Sequence, residues 1–229
     1  MAPFSDAPVV HPFRHPSFHA QQLRALDFAK TANARLLWIT AYDKLVKADE
    51  THRMDNEVLR KERWLEIHDR FTGGIPGLLP LVLNLPVRFT DTPNATAREM
   101  GVFKNARGKI CGWQLCDDEK ERIDAEDASE IVLRRWPTKI FVEVETATSQ
   151  MPLVDGKRVY TLKAMTKPWS LDGQGQVKVV RTGFSIVPDF GGTAHAYCGS
   201  TLNACIGDLL PWYHKPRRDD ALRGYIIMS

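Results

Sequence analysis

The stretch from residue 177 to residue 210 reads VKVVRTGFSIVPDFGGTAHAYCGSTLNACIGDLL and guides the interpretation of the whole chain. β-Branched residues open it, which favours a strand. A polar segment around Gly191-Gly192 follows, and apolar residues then recur over 202–210 at spacings that suit one face of a helix. The pattern therefore predicts a strand, a polar loop and a helix. Such a loop can present backbone N–H groups to an anion at the helix N-terminus, or it can be an ordinary connection capped by Ser200 or Thr201.

The same stretch resembles motif V of the Pif/RecD-like branch of superfamily 1 DNA helicases. In that motif an apolar strand is followed by T-x-H-K-S-Q-G-x-T-L. Eight residues match in one register: Phe184, Pro188, Phe190, Thr193, His195, Gly199, Thr201 and Leu202. The Lys, Ser and Gln of the family pattern are replaced here by Ala196, Tyr197 and Cys198.

Two further stretches carry the resemblance. Residues 79–113 contain L-P-L-V-x-x-L-P-V-R-F-T-D and then F-K-N-A-R-G-K-I-x-G-W. They look like the start of the SH3-like β-barrel that these helicases carry inside their second RecA-like lobe. Residues 224–229, G-Y-I-I-M-S, resemble the strand of motif VI, and in the family the next residue is an arginine that contacts the γ-phosphate.

Composition is compatible with this resemblance. The chain has 229 residues, is 43% apolar and 26% charged, and has a formal net charge of +3 with a pI near 8.7. This mildly basic balance is compatible with nucleic acid as a partner. The four cysteines form no C-x-x-C pair, and no apolar run approaches the roughly 18 residues of a membrane span. We therefore expect a soluble intracellular protein without a membrane partner, located in the nucleus if the source is eukaryotic.

Two polar clusters could be considered as metal sites, and we expect a metal at neither. Three histidines fall four residues apart near the N-terminus, but Pro12 and Pro16 should interrupt any helix there. They are His11, His15 and His19. Between Asp117 and Glu130 lie eight acidic residues without the ligand-and-glycine pattern of a calcium loop. We interpret that segment as a solvated insertion between two strands, whose charge would repel a DNA backbone.

The predicted fold is α/β: a partial, discontinuous RecA-like second helicase lobe with an inserted small SH3-like β-barrel. We place the first part of the lobe and a helical linker at 1–77, the β domain at 78–166, and the second part of the lobe, with motif V and a truncated motif VI, at 167–229. Helices are expected at 17–34 and 48–69, and linkers at 72–77 and 166–175. Strands are expected at 35–40, 78–85, 86–90, 109–113, 131–136, 139–145 and 158–162, with a hairpin turn at Asp155-Gly156.

The resemblance implies ATP-driven 5′-to-3′ translocation on single-stranded DNA in an intact enzyme, with a place in DNA repair and recombination. Contacts to the DNA backbone would come from Thr193, His195 and Thr201. Gly199 would allow close approach and is the one candidate cofactor-binding residue. Additional candidates for phosphate contacts are Arg88, Arg107, Lys109 and Arg181. For each of these four, a solvated surface role is the alternative, because phosphate binding needs several converging charges.

Nucleotide chemistry is not expected from this chain alone. The sequence contains no G-x-x-x-x-G-K-[ST] motif and no apolar strand that ends in paired acids. ATP and Mg²⁺ would bind in the full-length enzyme, with a missing N-terminal RecA-like lobe in the same polypeptide. The second hypothesis is a non-catalytic nucleic-acid or protein interaction module derived from a helicase. Ala196, Tyr197 and Cys198 favour it, because their side chains cannot make the polar contacts of the family pattern.

Overall fold

A computed structural model describes residues 7–11, 14–47, 61–172, 177–193 and 204–207. Within those ranges fifteen strands form four sheets. The chain divides into two units, one made of Met1–Asp27 with Pro188–Ser229 and the other of Phe28–Val187. This division differs from the predicted boundaries at residues 78 and 166. None of the described helices is long and apolar enough to cross a membrane.

The first unit contains a three-stranded parallel sheet. Strand β1 (Val9–His11) lies between β14 (Gly191–Thr193) and β15 (Ile206–Gly207). A Cβ atom on Gly191 would come within 2.4 Å of the carbonyl oxygen of Val9, so glycine permits this close approach. The Gly-Gly pair predicted as part of a polar loop is therefore a strand.

The helix predicted from Leu202 is not found in residues 204–207, the part of this segment that the structure describes. Ile206 and Gly207 form β15 and pair with Val9 and Val10, although the apolar spacing of 202–210 suits a helix. The pairing with a distant strand overrides the local periodicity. The remaining part of that predicted helix, apart from residues 204–205, lies outside the described residues.

Helix α1 (Arg14–Thr31) begins earlier than predicted, and Pro16 falls within its first turn. There the missing N–H has no intrahelical acceptor and proline is tolerated. Gln21 on this helix is buried and donates a 2.7 Å hydrogen bond to the carbonyl oxygen of Gly191. The predicted helix at 48–69 is described only from residue 61, where α2 (Lys61–Trp64) and a 3₁₀ helix (Asp69–Phe71) are found.

The second unit contains a six-stranded sheet. Its strand order is β13 (Ile186–Pro188), β5 (Pro86–Phe89), β6 (Arg107–Gln114), β8 (Lys139–Val144), β10 (Lys157–Leu162) and β9 (Leu153–Val154). The predicted hairpin turn is confirmed, since Asp155 and Gly156 adopt φ angles of 50° and 77° between β9 and β10. Among the described residues the sheet is open, with β13 and β9 at its edges, so the predicted SH3-like barrel does not close there.

Two further sheets of this unit contain three strands each. The first has the order β4 (Leu78–Leu81), β2 (Leu36–Thr40) and β7 (Glu130–Val132), so the predicted boundary at residue 78 falls inside a sheet. The second has the order β11 (Met165–Ser170), β12 (Lys178–Gly183) and β3 (Tyr42–Lys47). Residues 166–170 of the predicted linker at 166–175 thus belong to an edge strand, where Pro168 is tolerated because one side needs no ladder hydrogen bond.

A buried ion pair joins the strands of this second small sheet. Arg181 is 0% exposed, and its Nε and Nη2 donate to the two carboxylate oxygens of Asp43 at 2.9 and 2.7 Å. Nη2 also donates to the carbonyl of Trp64 at 2.6 Å, and Nη1 to that of Ile75 at 3.3 Å. The guanidinium lies 5.4 Å from the ring centre of Trp169. The prediction that Arg181 contacts DNA phosphate is therefore wrong, because its donors are buried and engaged inside the fold.

We expect Arg181→Met to lower the free energy of unfolding by about 3–5 kcal/mol, because it leaves the Asp43 carboxylate buried without its partner. Denaturant unfolding followed by circular dichroism measures the change. The matched control is Arg135→Met, which removes the exposed 2.8 Å pair with Asp118 and should leave the free energy of unfolding almost unchanged. Equal costs for the two variants would contradict the assignment of the buried pair as a central contact.

Candidate nucleic-acid interface

The structure locates five of the eight predicted DNA-contacting residues. Thr193 is the last residue of β14, where it pairs with His11 of β1 and is half-buried. His195, Gly199 and Thr201 lie outside the described residues. The remaining four are Arg181, which is buried as described above, and Arg88, Arg107 and Lys109.

These last three basic residues lie together on one side of strands β5 and β6. In the antiparallel pairing, Arg88 is opposite Arg107, and Lys109 is opposite Pro86. Because side chains alternate along a strand, the three cations share one side of the sheet, while Val87 and Phe89 point into the core with 0% exposure. The predicted orientation of Arg88 is thereby confirmed. We call this side, defined by Arg88, Arg107 and Lys109, the basic face.

Placing Arg88 directly opposite Arg107 has an electrostatic consequence. Directly paired positions bring Cβ atoms within about 4.5–5.5 Å, and like charges at such positions destabilise a sheet. An anion that bridges the two guanidinium groups relieves this repulsion, and a phosphate accepts hydrogen bonds from both. The pairing thus brings two cationic side chains together on one side of the sheet.

Carboxylates moderate the charge further along the sheet. Glu143 on β8 is opposite Lys109, and its Oε2 lies 2.8 Å from Nζ of Lys157. The hydrogen bond that Lys157 donates to the Glu143 carboxylate raises the pKa of Lys157. These residues, with Glu145 and Arg158, line a surface cavity of about 560 Å³. Glu143 therefore lies beside the Lys109 end of the basic face.

The acidic segment 117–130 is arranged differently from the predicted solvated insertion. It begins with a helix over Asp117–Ala125, in which Glu119 and Ile123 are one turn apart and buried. The carboxylate of Glu119 accepts hydrogen bonds from Nη2 of Arg122 at 2.7 Å and from the backbone N–H of Arg134 at 2.8 Å. The hydrogen bond from Arg122 is the main cause that lowers the pKa of Glu119. Part of the acidic segment thus has a structural role.

Sequence reasoning missed the partners of Arg181. Asp43 lies 138 positions away in the chain, and Trp64 and Trp169 pack edge to face with ring centres 5.9 Å apart. Neither a motif nor a periodic pattern connects these residues. Only the inward position of Arg181 was available as a signal, because Val179, Arg181 and Gly183 alternate along one strand.

The described residues include no group of three or more His, Cys, Asp or Glu side chains that could hold a metal ion. The three histidines of the N-terminal region do not share one helix, since His11 lies in β1 and the other two in α1. The sequence also lacks a phosphate-binding loop motif.

Comparison with solved structures assigns the fold. Pif1 helicase from Candida albicans matches with a TM-score of 0.54 at 13% sequence identity, over 97% of this chain and 43% of that protein. The chain has the fold of a Pif1-like helicase region. Pif1 from Bacteroides in complex with ADP-AlF3 and ssDNA matches with a TM-score of 0.46 at 12% identity, over 96% of this chain and 38% of that one. Neither a family model nor a curated protein matches the sequence.

The Pif1-like region spans less than half of the Candida albicans protein that it resembles. The likeness covers nearly the whole chain, so it includes both units. At 13% identity the likeness concerns the fold.

We expect Glu119→Gln to lower the free energy of unfolding by about 1–3 kcal/mol at neutral pH, because the ionised carboxylate accepts two structural hydrogen bonds. A lowered pKa in the folded state means that this contribution is complete above the usual value of 4.5 and is lost as the pH falls through the lowered value. The difference between wild type and variant should therefore shrink in acid. Urea unfolding at several pH values measures it.

Glu121→Gln is the matched control, because Glu121 is an exposed residue of the same helix. It should change stability by less than about 0.5 kcal/mol at every pH. A pH-independent difference for Glu119→Gln would show that the ionised carboxylate is not the stabilising species.

Proposed function

We propose that the chain is a region of a DNA helicase that binds the backbone of single-stranded DNA. In a polypeptide that also contains an N-terminal RecA-like lobe, it would complete the ATP site between the two lobes. The Pif1-like fold supports the helicase origin. The observation that carries the DNA-binding part is the cross-strand pairing of Arg88 with Arg107 beside Lys109.

The basic face suits a phosphate chain for geometric reasons. Residues two apart on a strand are separated by about 7 Å, and neighbouring strands by about 4.8 Å, so Lys109 lies close to the arginine pair. Several converging cations are what phosphate binding requires, since affinity comes from the release of counterions by each neutralised phosphate. Arginine can hydrogen-bond two phosphate oxygens at once, which adds orientation to charge.

Thr193 is a candidate for a second DNA contact, in the unit formed by Met1–Asp27 and Pro188–Ser229. It ends β14, a strand of a parallel sheet, and ligands of open α/β sheets bind outside the carboxyl ends of the strands. We propose that its hydroxyl donates to a DNA phosphate. His195 and Thr201 would extend that contact along the motif V segment, with Gly199 allowing the backbone to approach the ligand.

Translocation and duplex unwinding are proposed only for the complete enzyme. They require ATP turnover, for which ATP must be held between two RecA-like lobes, and the matched Candida albicans helicase is more than twice as long as this chain. The contribution of this region is then to hold the strand while the other lobe supplies the phosphate-binding loop.

We expect the triple variant Arg88→Gln, Arg107→Gln, Lys109→Gln to bind a labelled single-stranded oligonucleotide more weakly than wild type. The slope of log affinity against log salt should become shallower by about 2, since each phosphate contact on a single strand contributes about 0.7. Fluorescence anisotropy between about 50 and 200 mM salt measures both quantities.

The matched control replaces three exposed basic residues near the acidic helix, Lys120, Arg134 and Arg135, with glutamine. It removes the same formal charge and should leave the slope almost unchanged. If both triple variants change the slope equally, net charge rather than the basic face is responsible. If wild type does not bind at about 50 mM salt, the non-catalytic relic of a helicase is the better description.

We expect the chain by itself to hydrolyse ATP no faster than buffer, because nothing in its sequence cradles the β- and γ-phosphates. Release of inorganic phosphate with Mg²⁺ present, with and without single-stranded DNA, measures the rate. A rate well above background that a chelator abolishes would contradict the proposal that the nucleotide site needs a second lobe.

A further inference from the structure

The small sheet formed by β11, β12 and β3 has a second side that the proposed function does not use. Asp43, Arg181 and Trp169 point inward, so the residues that alternate with them point outward. We call this side the outer face. It is formed by Tyr42, Lys44, Val46, Thr166, Pro168, Ser170, Lys178, Val180 and Thr182.

Charge on the outer face has a single sign. Lys44 and Lys178 are both exposed, and no outer-face residue is acidic. The three strands contain one carboxylate, Asp43, which is buried and neutralised by Arg181. Next to the strand end, Asp172 accepts hydrogen bonds from the Ser170 hydroxyl and the Val177 N–H. The outer face therefore complements an anionic ligand.

An aromatic ring lies on the same face. Tyr42 is 59% exposed and forms a row across the sheet with Thr182 and Thr166, whose hydroxyl oxygens are 3.0 Å apart. Lys44 is two residues further along the same strand, about 7 Å away. A base that stacks on the ring would remove apolar surface from water, and its flanking phosphates would meet the lysines.

We propose that the outer face is a second contact for single-stranded DNA, where Tyr42 stacks on a base and Lys44 and Lys178 bind neighbouring phosphates. The choice of nucleic acid follows from the combination of an exposed aromatic ring with two lysines on one face, which is the pattern of sequence-tolerant single-strand binding. The identity of the ligand rests on the proposed function, but the residues differ from those of the basic face. The two sites also differ chemically, because only the outer face contacts bases.

The test compares an oligothymidylate with an abasic oligonucleotide of the same length and charge. Wild type should bind the oligothymidylate at least about fivefold more tightly, and Tyr42→Ala should lose that preference while its affinity for the abasic strand stays the same. Tyr42→Phe should retain the preference, because it retains the ring. Phe71→Ala is the matched control, since Phe71 is 61% exposed in the 3₁₀ helix and should have no effect.

A second measurement needs no variant. Irradiation of wild type with an oligonucleotide that contains 5-bromodeoxyuridine should crosslink the peptide containing Tyr42, as identified by mass spectrometry. The double variant Lys44→Gln, Lys178→Gln should make the salt slope shallower by about 1.4 for both oligonucleotides, since it removes two phosphate contacts.

The outcomes separate the two proposals. An unchanged base preference in Tyr42→Ala, together with no crosslink at Tyr42, overturns the outer face while the basic-face variants still weaken binding. Equal losses on the two oligonucleotides also overturn it, because stacking requires a base. If wild type binds neither oligonucleotide, both proposals fail.

Discussion

The buried pair of Arg181 and Asp43 is the constraint on which the small sheet depends. Two charges taken out of water are costly, and the cost is offset only when geometry and additional hydrogen bonds are both good. Here the guanidinium bonds both carboxylate oxygens and two backbone carbonyls, so the pair joins β3 and β12 to the segment between residues 64 and 75. Because both residues must point inward, the alternation of the strands turns Tyr42, Lys44 and Thr182 outward.

The placement of carboxylates decides where the second unit can meet an anion. Glu119 is buried beneath Arg122, Glu143 is paired with Lys157, and Asp43 is enclosed with Arg181. In each of these pairs a cationic side chain neutralises the carboxylate. The basic face and the outer face carry cations on strands whose own acidic residues are absent or turned inward. A modest net charge of +3 is thereby compatible with locally positive surfaces.

The two units use β-structure in different ways. The parallel sheet of β14, β1 and β15 places Thr193 at a strand end, which is where open α/β sheets bind ligands. The six-stranded sheet is instead built from antiparallel neighbours from β5 to β9, and it exposes a side on which cations can line up across strands. The proposed contacts are thus at a strand end in one unit and on sheet surfaces in the other.

The sequence by itself determined the features that depend on residues close together in the chain. Period-two alternation predicted β5, β8 and the direction of Arg88, a short apolar run predicted β2, and Asp155-Gly156 predicted the hairpin before β10, because these signals are local. Tertiary structure alone decided that residues 166–170 pair as part of a strand, that Ile206 joins a sheet, and that Arg181 is buried. Each of these depends on a partner far away in the chain, 138 positions in the case of Asp43, and local propensity contains no information about such partners.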